Sequence, residues 1–234
     1  MDGSLPLPTE QLRFNVSNSR DVGEFLKVGK RCADELEAGV AAVGGDLFSF
    51  GRVLDWGCGC GRTLRWMAER AKPNQFSGCD VDAAAIEWCQ NNLRQMDFEV
   101  TEANPPLPYQ DGAFELVFGI SVFTHLNEGF QQRWLAELCR IIAPQGFLLL
   151  SVVGTNIANT LPEELKVQFH SQGFLFLHSP VWEGIHAEWY ADAYQSEEFV
   201  RDRFSKYFEV LSYTLAGLNG HQDLVVMRKR ATAC

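Results

Sequence analysis

The sequence predicts an α/β fold in which helices cover both faces of a mostly parallel sheet that ends in an antiparallel hairpin. Short strands alternate with helical patterns from residue 52 onward. These strands are apolar along their whole length, as expected of strands buried on both faces. The last two strand candidates are separated by a loop alone, which requires an antiparallel connection. With 234 residues, of which 46% are hydrophobic and 21% charged, the chain suits one globular domain.

The N-terminal region is predicted to be an extended arm followed by one helix. Pro6 and Pro8 lie in a stretch with little periodicity, which favours an arm over the first twenty residues. From Asp21 onward, apolar residues recur at spacings of three and four. The Gly44-Gly45 pair is a good stop signal, so this helix is expected to end there.

Strands and helices then alternate up to residue 153. Strands are predicted over residues 52–56, 75–79, 98–101, 114–119 and 147–153. Helices are predicted over residues 62–71, 83–95 and 131–142, and prolines end the first and last of these. The pattern is irregular and aromatic between residues 154 and 195, and the hairpin is predicted over residues 208–215 and 224–228.

The charge and composition narrow the range of partners. The net charge of -10 and the pI of about 5.0 oppose binding to a nucleic-acid backbone or an anionic membrane, so a small molecule is the expected partner. The N-terminus lacks a basic start and an apolar signal core, which favours a cytoplasmic protein. Cys58 and Cys60 form a close pair, but no second pair follows at zinc-like spacing, so no metal site is expected. The oligomeric state cannot be predicted from the sequence.

A glycine-rich loop follows the first predicted strand, in the stretch VLDWGCGCGR. Its three alternating glycines let the backbone turn tightly and approach a ligand. A dinucleotide prefers the spacing Gly-x-Gly-x-x-Gly, but Arg62 occupies the last of those positions and Asp55 would repel a phosphate. S-adenosylmethionine brings an ammonium group, a carboxylate and a sulfonium without phosphate, so Asp55 favours it.

Two acidic residues lie at the end of the second predicted strand, in the stretch GCDVD. A carboxylate at this place can accept hydrogen bonds from both hydroxyls of a ribose. The alternative is that Asp80 or Asp82 only caps the helix that starts near Ala83. We expect ribose contact from Asp80 and capping from Asp82.

The chain resembles the class I S-adenosylmethionine-dependent methyltransferases. The resemblance rests on VLDWGCGCGR, GCDVD, PLPYQDGAFELVFGISVFTHL and ELCRIIAPQGFLLLSVVG, which follow the family's order and spacing over residues 52–154. It implies a Rossmann-like seven-stranded sheet with an antiparallel C-terminal hairpin, and S-adenosylmethionine as cofactor. Asn104 replaces an Asp that the family often has near the adenine. The expected cofactor-binding residues are Asp55, Gly57, Cys58, Gly59, Gly61, Arg62, Asp80, Val81, Asn104, Ile120 and Ser121.

We therefore expect one methyltransferase domain with four regions. These are an N-terminal arm and helix (1–50), a cofactor-binding core (51–153), an acceptor-site insert (154–195), and a C-terminal helix and hairpin (196–234). The expected reaction is in-line methyl transfer to an oxygen or nitrogen of a small molecule, with secondary metabolites as one class of acceptor. The alternatives are a non-catalytic module that binds the cofactor and a nicotinamide-dependent oxidoreductase.

Histidines and aromatic residues are the candidates for acceptor chemistry. His125 follows the fourth strand at the carboxyl edge of the sheet, where it could act as a general base or could brace the next helix. The insert after the fifth strand either covers the acceptor or packs as an ordinary hydrophobic cluster. Its candidate acceptor-binding residues are His178, Trp182, His186, Trp189 and Tyr190. His221 is expected to be structural or to face solvent.

Overall fold

A seven-stranded sheet lies at the centre of the computed structural model, which describes residues 5–178 and 191–231. The strands are β1 (Val53–Trp56), β2 (Phe76–Asp80), β3 (Asp97–Val100), β4 (Phe114–Gly119), β5 (Ile142–Val152), β6 (Phe174–Leu177), β7 (Asp192–Gln195), β8 (Phe208–Leu218) and β9 (Gln222–Lys229). The helices are α1 (Glu10–Ser17), α2 (Val22–Ala42), α3 (Ala83–Asn92), α4 (Glu128–Ile141), α5 (Thr155–Ala158), α6 (Glu163–Gln172) and α7 (Glu197–Phe204).

The strand order of the main sheet is β3-β2-β1-β4-β5-β9-β8. Neighbouring strands from β3 to β5 pair in parallel, whereas β9 is antiparallel to both β5 and β8. This confirms the predicted fold class, including the C-terminal hairpin. The strand order reverses between β1 and β4, and ligands of open α/β sheets bind outside the carboxyl ends of the strands at such a point.

Helices cover both faces of the sheet, which explains why the strands are apolar throughout. Val53 of β1 packs into a buried cluster with residues of α2 and α3, while the next residue, Leu54, packs into a second cluster with residues of α4 and α7. This alternation follows from the two-residue period of a strand. Both clusters consist of side chains that are almost fully buried, so the carboxyl edge of the sheet is held on a rigid support.

The N-terminal segment was predicted as an extended arm, and this prediction was wrong. The structure has helix α1 there, and Thr9 caps it by accepting a hydrogen bond from the backbone N–H of Leu12 at 3.4 Å. Only Leu12 of this helix is buried, so its amphipathic pattern is too weak to stand out in the sequence. The helix from Asp21 is confirmed as α2, with Asp21 as its cap.

The helix predicted over residues 62–71 is also not formed as expected. The described structure has only a short 3₁₀ turn there, Leu64–Trp66, in a segment whose hydrogen bonds mix two spacings. Helix α2 packs very closely against this segment, because a Cβ added to Gly29 would lie 2.3 Å from the carbonyl oxygen of Arg62. This tertiary contact fits the departure from regular helix.

The insert after β5 is more regular than its sequence indicated. It contains α5, α6 and an antiparallel pair formed by β6 and β7. An isolated parallel bridge between Val153 and Tyr194 joins β7 to the end of β5. Within the described ranges, no helix is both long and apolar enough to cross a membrane.

Candidate active site

A cleft of about 790 Å³ opens at the carboxyl edge of the sheet, where the strand order reverses. The glycine loop after β1 and the residues that follow β2, β3 and β4 form its floor and walls. Helix α1 and the turn between β8 and β9 also line it. The cleft therefore joins the parallel core to two segments from opposite ends of the chain.

Asp80 ties the end of β2 to the glycine loop. Its Oδ2 accepts a hydrogen bond from the backbone N–H of Gly59 at 2.7 Å, and its Oδ1 accepts one from the N–H of Asp82 at 2.9 Å. Burial raises the pKa of Asp80, and these backbone donors offset part of the shift. Asp82 caps α3 by accepting from the N–H groups of Ala84 and Ala85, as its sequence position predicted.

Asp55 places a second carboxyl in the cleft. It lies on β1, paired with Gly78 of β2 and Phe118 of β4, and is only 3% exposed. Burial raises the pKa of Asp55 well above its ordinary value; the nearby Asp80 raises it further, and Arg62 lowers it. A ligand that brings a positive charge next to Asp55 would therefore be favoured, because it offsets the cost of ionising a buried carboxyl.

The glycine loop is held in a backbone conformation that other residues rarely adopt. Gly59 has φ +52°, and a Cβ there would lie 2.4 Å from Cγ1 of Val16 on α1. The Cys60 thiol also lies 3.6 Å from the carbonyl oxygen of Leu12. Glycine is thus required both for the turn and for the close approach of α1 over the loop.

Ser121 follows β4 and also has a left-handed backbone, with φ +59°. Its N–H donates to Oγ of Ser151 at 2.7 Å, and its hydroxyl lies 2.8 Å from Nε2 of Gln222. Such a conformation is costly for a residue other than glycine and is found often at functional sites. Here hydrogen bonds from β5 and β9 stabilise it.

His125 ends a 3₁₀ turn after β4 and lines the cleft. Its Nδ1 lies 3.2 Å from the carbonyl oxygen of Ala191 and 3.8 Å from Oδ1 of Asp192. Because a carbonyl oxygen only accepts hydrogen bonds, Nδ1 is assigned the proton, which makes Nε2 the basic nitrogen of the neutral ring. The segment preceding β7 thus fixes the tautomer and orientation of a histidine at the cleft.

Comparisons with known proteins agree with this arrangement. Residues 53–146 match a family described as "Methyltransferase domain". Phthiotriol/phenolphthiotriol dimycocerosates methyltransferase 1 of Mycobacterium ulcerans is 34% identical over 100 residues, which are 42% of this chain and 36% of that protein. Fatty-acid O-methyltransferase of Mycolicibacterium smegmatis is 30% identical over 100 residues, which are 42% of this chain and 35% of that protein. The chain thus spans about a third of the length of these curated relatives.

A solved structure supports the fold over nearly the whole chain. It is the 1,6-didemethyltoxoflavin-N1-methyltransferase of Burkholderia thailandensis, determined with S-adenosylhomocysteine; it has a TM-score of 0.58 and 16% identity, and the match covers 96% of this chain and 92% of that one. Residues 53–146 thus resemble a methyltransferase domain, and the fold of the chain is that of solved S-adenosylmethionine-dependent methyltransferases. The resemblance implies S-adenosylmethionine as the cofactor.

Most of the predicted cofactor-binding residues come together at the cleft. Those that line it are Asp55, Gly57, Cys58, Gly59, Arg62, Asp80, Val81, Ile120 and Ser121. Gly61 instead packs toward Leu93 and Cys89 on the protein side of the loop. Asn104 is exposed and lies just beyond the cleft wall, which is formed there by Thr101, Glu102 and Ala103. The roles of all these residues remain predictions.

Of the acceptor-binding candidates of the insert, the structure describes only His178. His178 is exposed, stands edge-on to the ring of Phe176 and does not line the cleft. Four candidates lie outside the described residues: Trp182, His186, Trp189 and Tyr190. Among residues 5–178 and 191–231, no group of three His, Cys, Asp or Glu side chains is placed to hold a metal ion.

Two groups of residues that line the cleft were missed or undervalued from the sequence. The first is residues 14–18 of α1 and its C-terminus. The second is the β8–β9 turn, where His221 is exposed to solvent, as expected, but also lines the cleft. The Asn219-Gly220 dipeptide is a strong signal for a tight hairpin turn, and an antiparallel β9 beside β5 would have brought this turn to the carboxyl edge.

Proposed function

We propose that this chain transfers the methyl group of S-adenosylmethionine to an oxygen or nitrogen of a small-molecule acceptor. The observation that carries the proposal is that one cleft contains both the acidic, glycine-lined cradle and the oriented ring of His125. A cradle alone would support binding, but a positioned base beside it also supports turnover.

The charged side chains that line the cleft fit the polar groups of the cofactor. When bound, S-adenosylmethionine supplies a methyl group and a sulfonium leaving group for an in-line displacement. Asp55 is buried beside a second carboxyl, so an ammonium group there would be stabilised. The carboxylate of Asp80, aimed by two backbone N–H groups, can accept hydrogen bonds from a ribose diol. Arg62 lines the same cleft and can pair with a carboxylate.

The apolar lining supports the same placement. Val81 follows Asp80 and is 54% exposed, which is unusual for a large apolar side chain. Together with Ile120 it offers apolar surface against which a flat ring of the cofactor can pack. Both residues come from strand ends next to the switch point, so the ring and the ribose contact of Asp80 would be neighbours.

His125 is proposed as the general base for an acceptor that must lose a proton. With the proton of Nδ1 directed to the carbonyl of Ala191, Nε2 can accept a proton from a hydroxyl or an ammonium group. Such a base contributes typically about 10²- to 10⁴-fold, whereas alignment of the reactants can contribute an effective molarity worth about 7 to 11 kcal/mol. Most of the rate enhancement would therefore come from positioning.

The acceptor atom is left as oxygen or nitrogen because the relatives include both kinds. The names of the similar proteins include a fatty-acid O-methyltransferase and an N1-methyltransferase. The net charge of -10 supports a small molecule over a nucleic acid.

The proposal is tested by incubating the full chain with S-adenosylmethionine and a panel of alcohols, fatty acids, phenols and amines. Methylated product and S-adenosylhomocysteine are expected to form in equal amounts. Calorimetry with S-adenosylhomocysteine and with NAD tests the cradle separately. Binding of S-adenosylhomocysteine without product on any acceptor would favour the non-catalytic alternative, and binding of NAD in its place would reject the methyltransferase assignment for this cleft.

A further inference from the structure

The turn between β8 and β9, residues 218–222, is built to a definite shape. Asn219 and Gly220 both have positive φ, at 51° and 73°. The N–H of His221 donates to the carbonyl oxygen of Leu218 at 3.3 Å. These are the features of the tight hairpin turn that matches the twist of two antiparallel strands. We call residues 218–222 the hairpin turn.

The hairpin turn is fastened to helix α2. Oε2 of Glu35 accepts a hydrogen bond from the N–H of Asn219 at 2.6 Å, while Oε1 of Glu35 pairs with Arg31 at 2.7 Å. A Cβ on Gly220 would lie 2.9 Å from a guanidinium nitrogen of Arg31, so this helix and the turn are in close contact. The turn is therefore a fixed wall of the cleft, and side chains on it are pre-organised.

Gln222 brings a primary amide to the cleft at the carboxyl edge. The next residue, Asp223, pairs with Val152 at the end of β5, which fixes Gln222 beside that edge. Its Nε2 lies 2.8 Å and its Oε1 3.1 Å from the hydroxyl of Ser121, the residue next to Ile120, so one N–H and one lone pair of the amide remain for a ligand. A primary amide has two N–H donors and a carbonyl acceptor, so the contact with Ser121 orients the group while leaving hydrogen-bonding capacity.

His221 lines the same wall. Its Nδ1 lies 3.2 Å from the carbonyl oxygen of Asn219, which assigns the proton to Nδ1 and makes Nε2 the acceptor nitrogen. The side chain is exposed, so it stands at the mouth of the cleft, whereas Gln222 is 9% exposed and lies deeper. Together they place one hydrogen-bonding side chain at the mouth of the cleft and one deeper along the same wall.

Charge is distributed unevenly around the cleft. Its charged lining residues, within the described ranges, are Asp55, Arg62, Asp80, Asp82 and Glu102. All of them follow β1, β2 or β3, on the side assigned to the cofactor. The hairpin turn and residues 120–126 contribute no Asp, Glu, Lys or Arg to the described lining. A charged group entering on that side would lose hydration without pairing with an opposite charge on these lining residues; the carboxylate of Asp192 lies behind them, 3.8 Å from Nδ1 of His125.

From this asymmetry we infer that the hairpin turn is an acceptor-binding wall. Gln222 and His221 hydrogen-bond an uncharged hydroxyl, carbonyl or amide group of the acceptor and hold it beside the cofactor. The inference rests on the proposed function and extends it by naming a recognition surface and a class of acceptor group. Gln222 is a specificity-determining residue in this arrangement, because it alone of the two is both buried and tied to the end of β4.

The inference is tested with small probes on the full chain saturated with S-adenosylhomocysteine. Four probes share a six-carbon chain: hexanol, hexanamide, hexanoate and hexylammonium. We expect NMR titration to show hexanol and hexanamide binding at least about threefold tighter than the two charged probes. Equal or tighter binding of a charged probe, or no binding of either neutral probe, would overturn the inference. Failure to bind S-adenosylhomocysteine at all would instead reject the proposed function.

Variants locate the neutral probes on the hairpin turn. Gln222→Leu and His221→Ala are each expected to weaken hexanamide binding about 3- to 10-fold at saturating S-adenosylhomocysteine, the usual effect of losing one hydrogen bond. His221→Ala leaves the contact of Gln222 with Ser121 in place, so its S-adenosylhomocysteine affinity is expected to stay within about twofold. If the leucine variant is unstable, Gln222→Glu serves in its place because it keeps the size of the side chain. It is expected to reverse the preference, so that hexylammonium binds more tightly than the neutral probes. The matched controls are Gln168→Leu and His170→Ala on α6, which lie outside the cleft lining. Unchanged hexanamide affinity in the turn variants would refute the inference.

Discussion

Replacing Asp80 with alanine removes the carboxylate that joins the end of β2 to the glycine loop. The N–H groups of Gly59 and Asp82, which donate to it at 2.7 and 2.9 Å, lose their acceptor. The same change removes the proposed acceptor for the ribose hydroxyls. The substitution therefore affects both the stability of the protein and its affinity for the cofactor, and the two effects are separated by measuring each one independently.

The effect on stability is expected to be the smaller one. A buried donor left without a partner costs about 1 to 3 kcal/mol. The pKa of Asp80 is raised by burial despite its hydrogen bonds, so ionising this carboxyl already costs free energy in the folded protein. Removing it recovers part of that cost. The free energy of unfolding is therefore expected to fall by less than about 3 kcal/mol, and the protein should remain folded.

The effect on cofactor affinity has no such compensation. Losing charge-assisted hydrogen bonds to the ribose is expected to weaken binding by about 1 to 3 kcal/mol, which is about 5- to 140-fold. Calorimetry with S-adenosylhomocysteine measures the affinity, and urea unfolding measures the stability. Asp21→Ala is the matched control, since Asp21 only caps α2 by accepting from Glu24 at 2.6 Å. An Asp80→Ala protein that is folded and binds with unchanged affinity would refute the ribose assignment.

Three further outcomes are expected. His125→Ala should slow methyl transfer about 10²- to 10⁴-fold with unchanged S-adenosylhomocysteine affinity, and normal turnover would make His125 structural only. Asp55→Asn should weaken cofactor binding but stabilise the free protein at pH 7. Because the pKa of Asp55 is raised in the folded state, its ionisation costs stability as the pH rises from the unfolded toward the folded pKa. Urea melts should therefore show that the gain in stability vanishes in acid, and a gain at acidic pH would contradict this. Gly59→Ala should destabilise more than Gly44→Ala by about 1 to 3 kcal/mol, because both have positive φ but only Gly59 meets Val16, and equal urea midpoints would argue against that contact.

The strands of the core could be predicted closely because their signals are local. The fourth strand was predicted over residues 114–119, and β4 is Phe114–Gly119. Runs of apolar residues bounded by glycine and proline mark such strands without reference to the rest of the chain. The glycine loop could be predicted equally well from its glycines. Gly57 and Gly59 have positive φ, which glycine adopts most readily.

The segments that close the cleft could not be placed from local patterns. Helix α1 buries only Leu12, so what fixes it is contact with the glycine loop, including Val16 beside Gly59. Segment 62–71 departs from a regular helix where α2 packs closely at Gly29. His221 reaches the cleft because β9 runs antiparallel beside β5. Each of these depends on tertiary packing, which overrides weak local preference.

The cofactor side and the hairpin-turn side of the cleft stabilise a bound ligand through different interactions. On the cofactor side, Asp55 and Asp80 both have pKa values raised by burial, so ionising them carries an electrostatic cost that a cationic ligand offsets. On the side of the hairpin turn, the described lining contains no Asp, Glu, Lys or Arg, and its polar groups partly satisfy each other, as the contact of Gln222 with Ser121 shows. Binding on the first side gains from relief of that cost, while binding on the second gains only from hydrogen bonds and burial. The cofactor is therefore expected to bind first and more tightly, and recognition of the acceptor is expected to depend on shape and hydrogen bonding more than on charge.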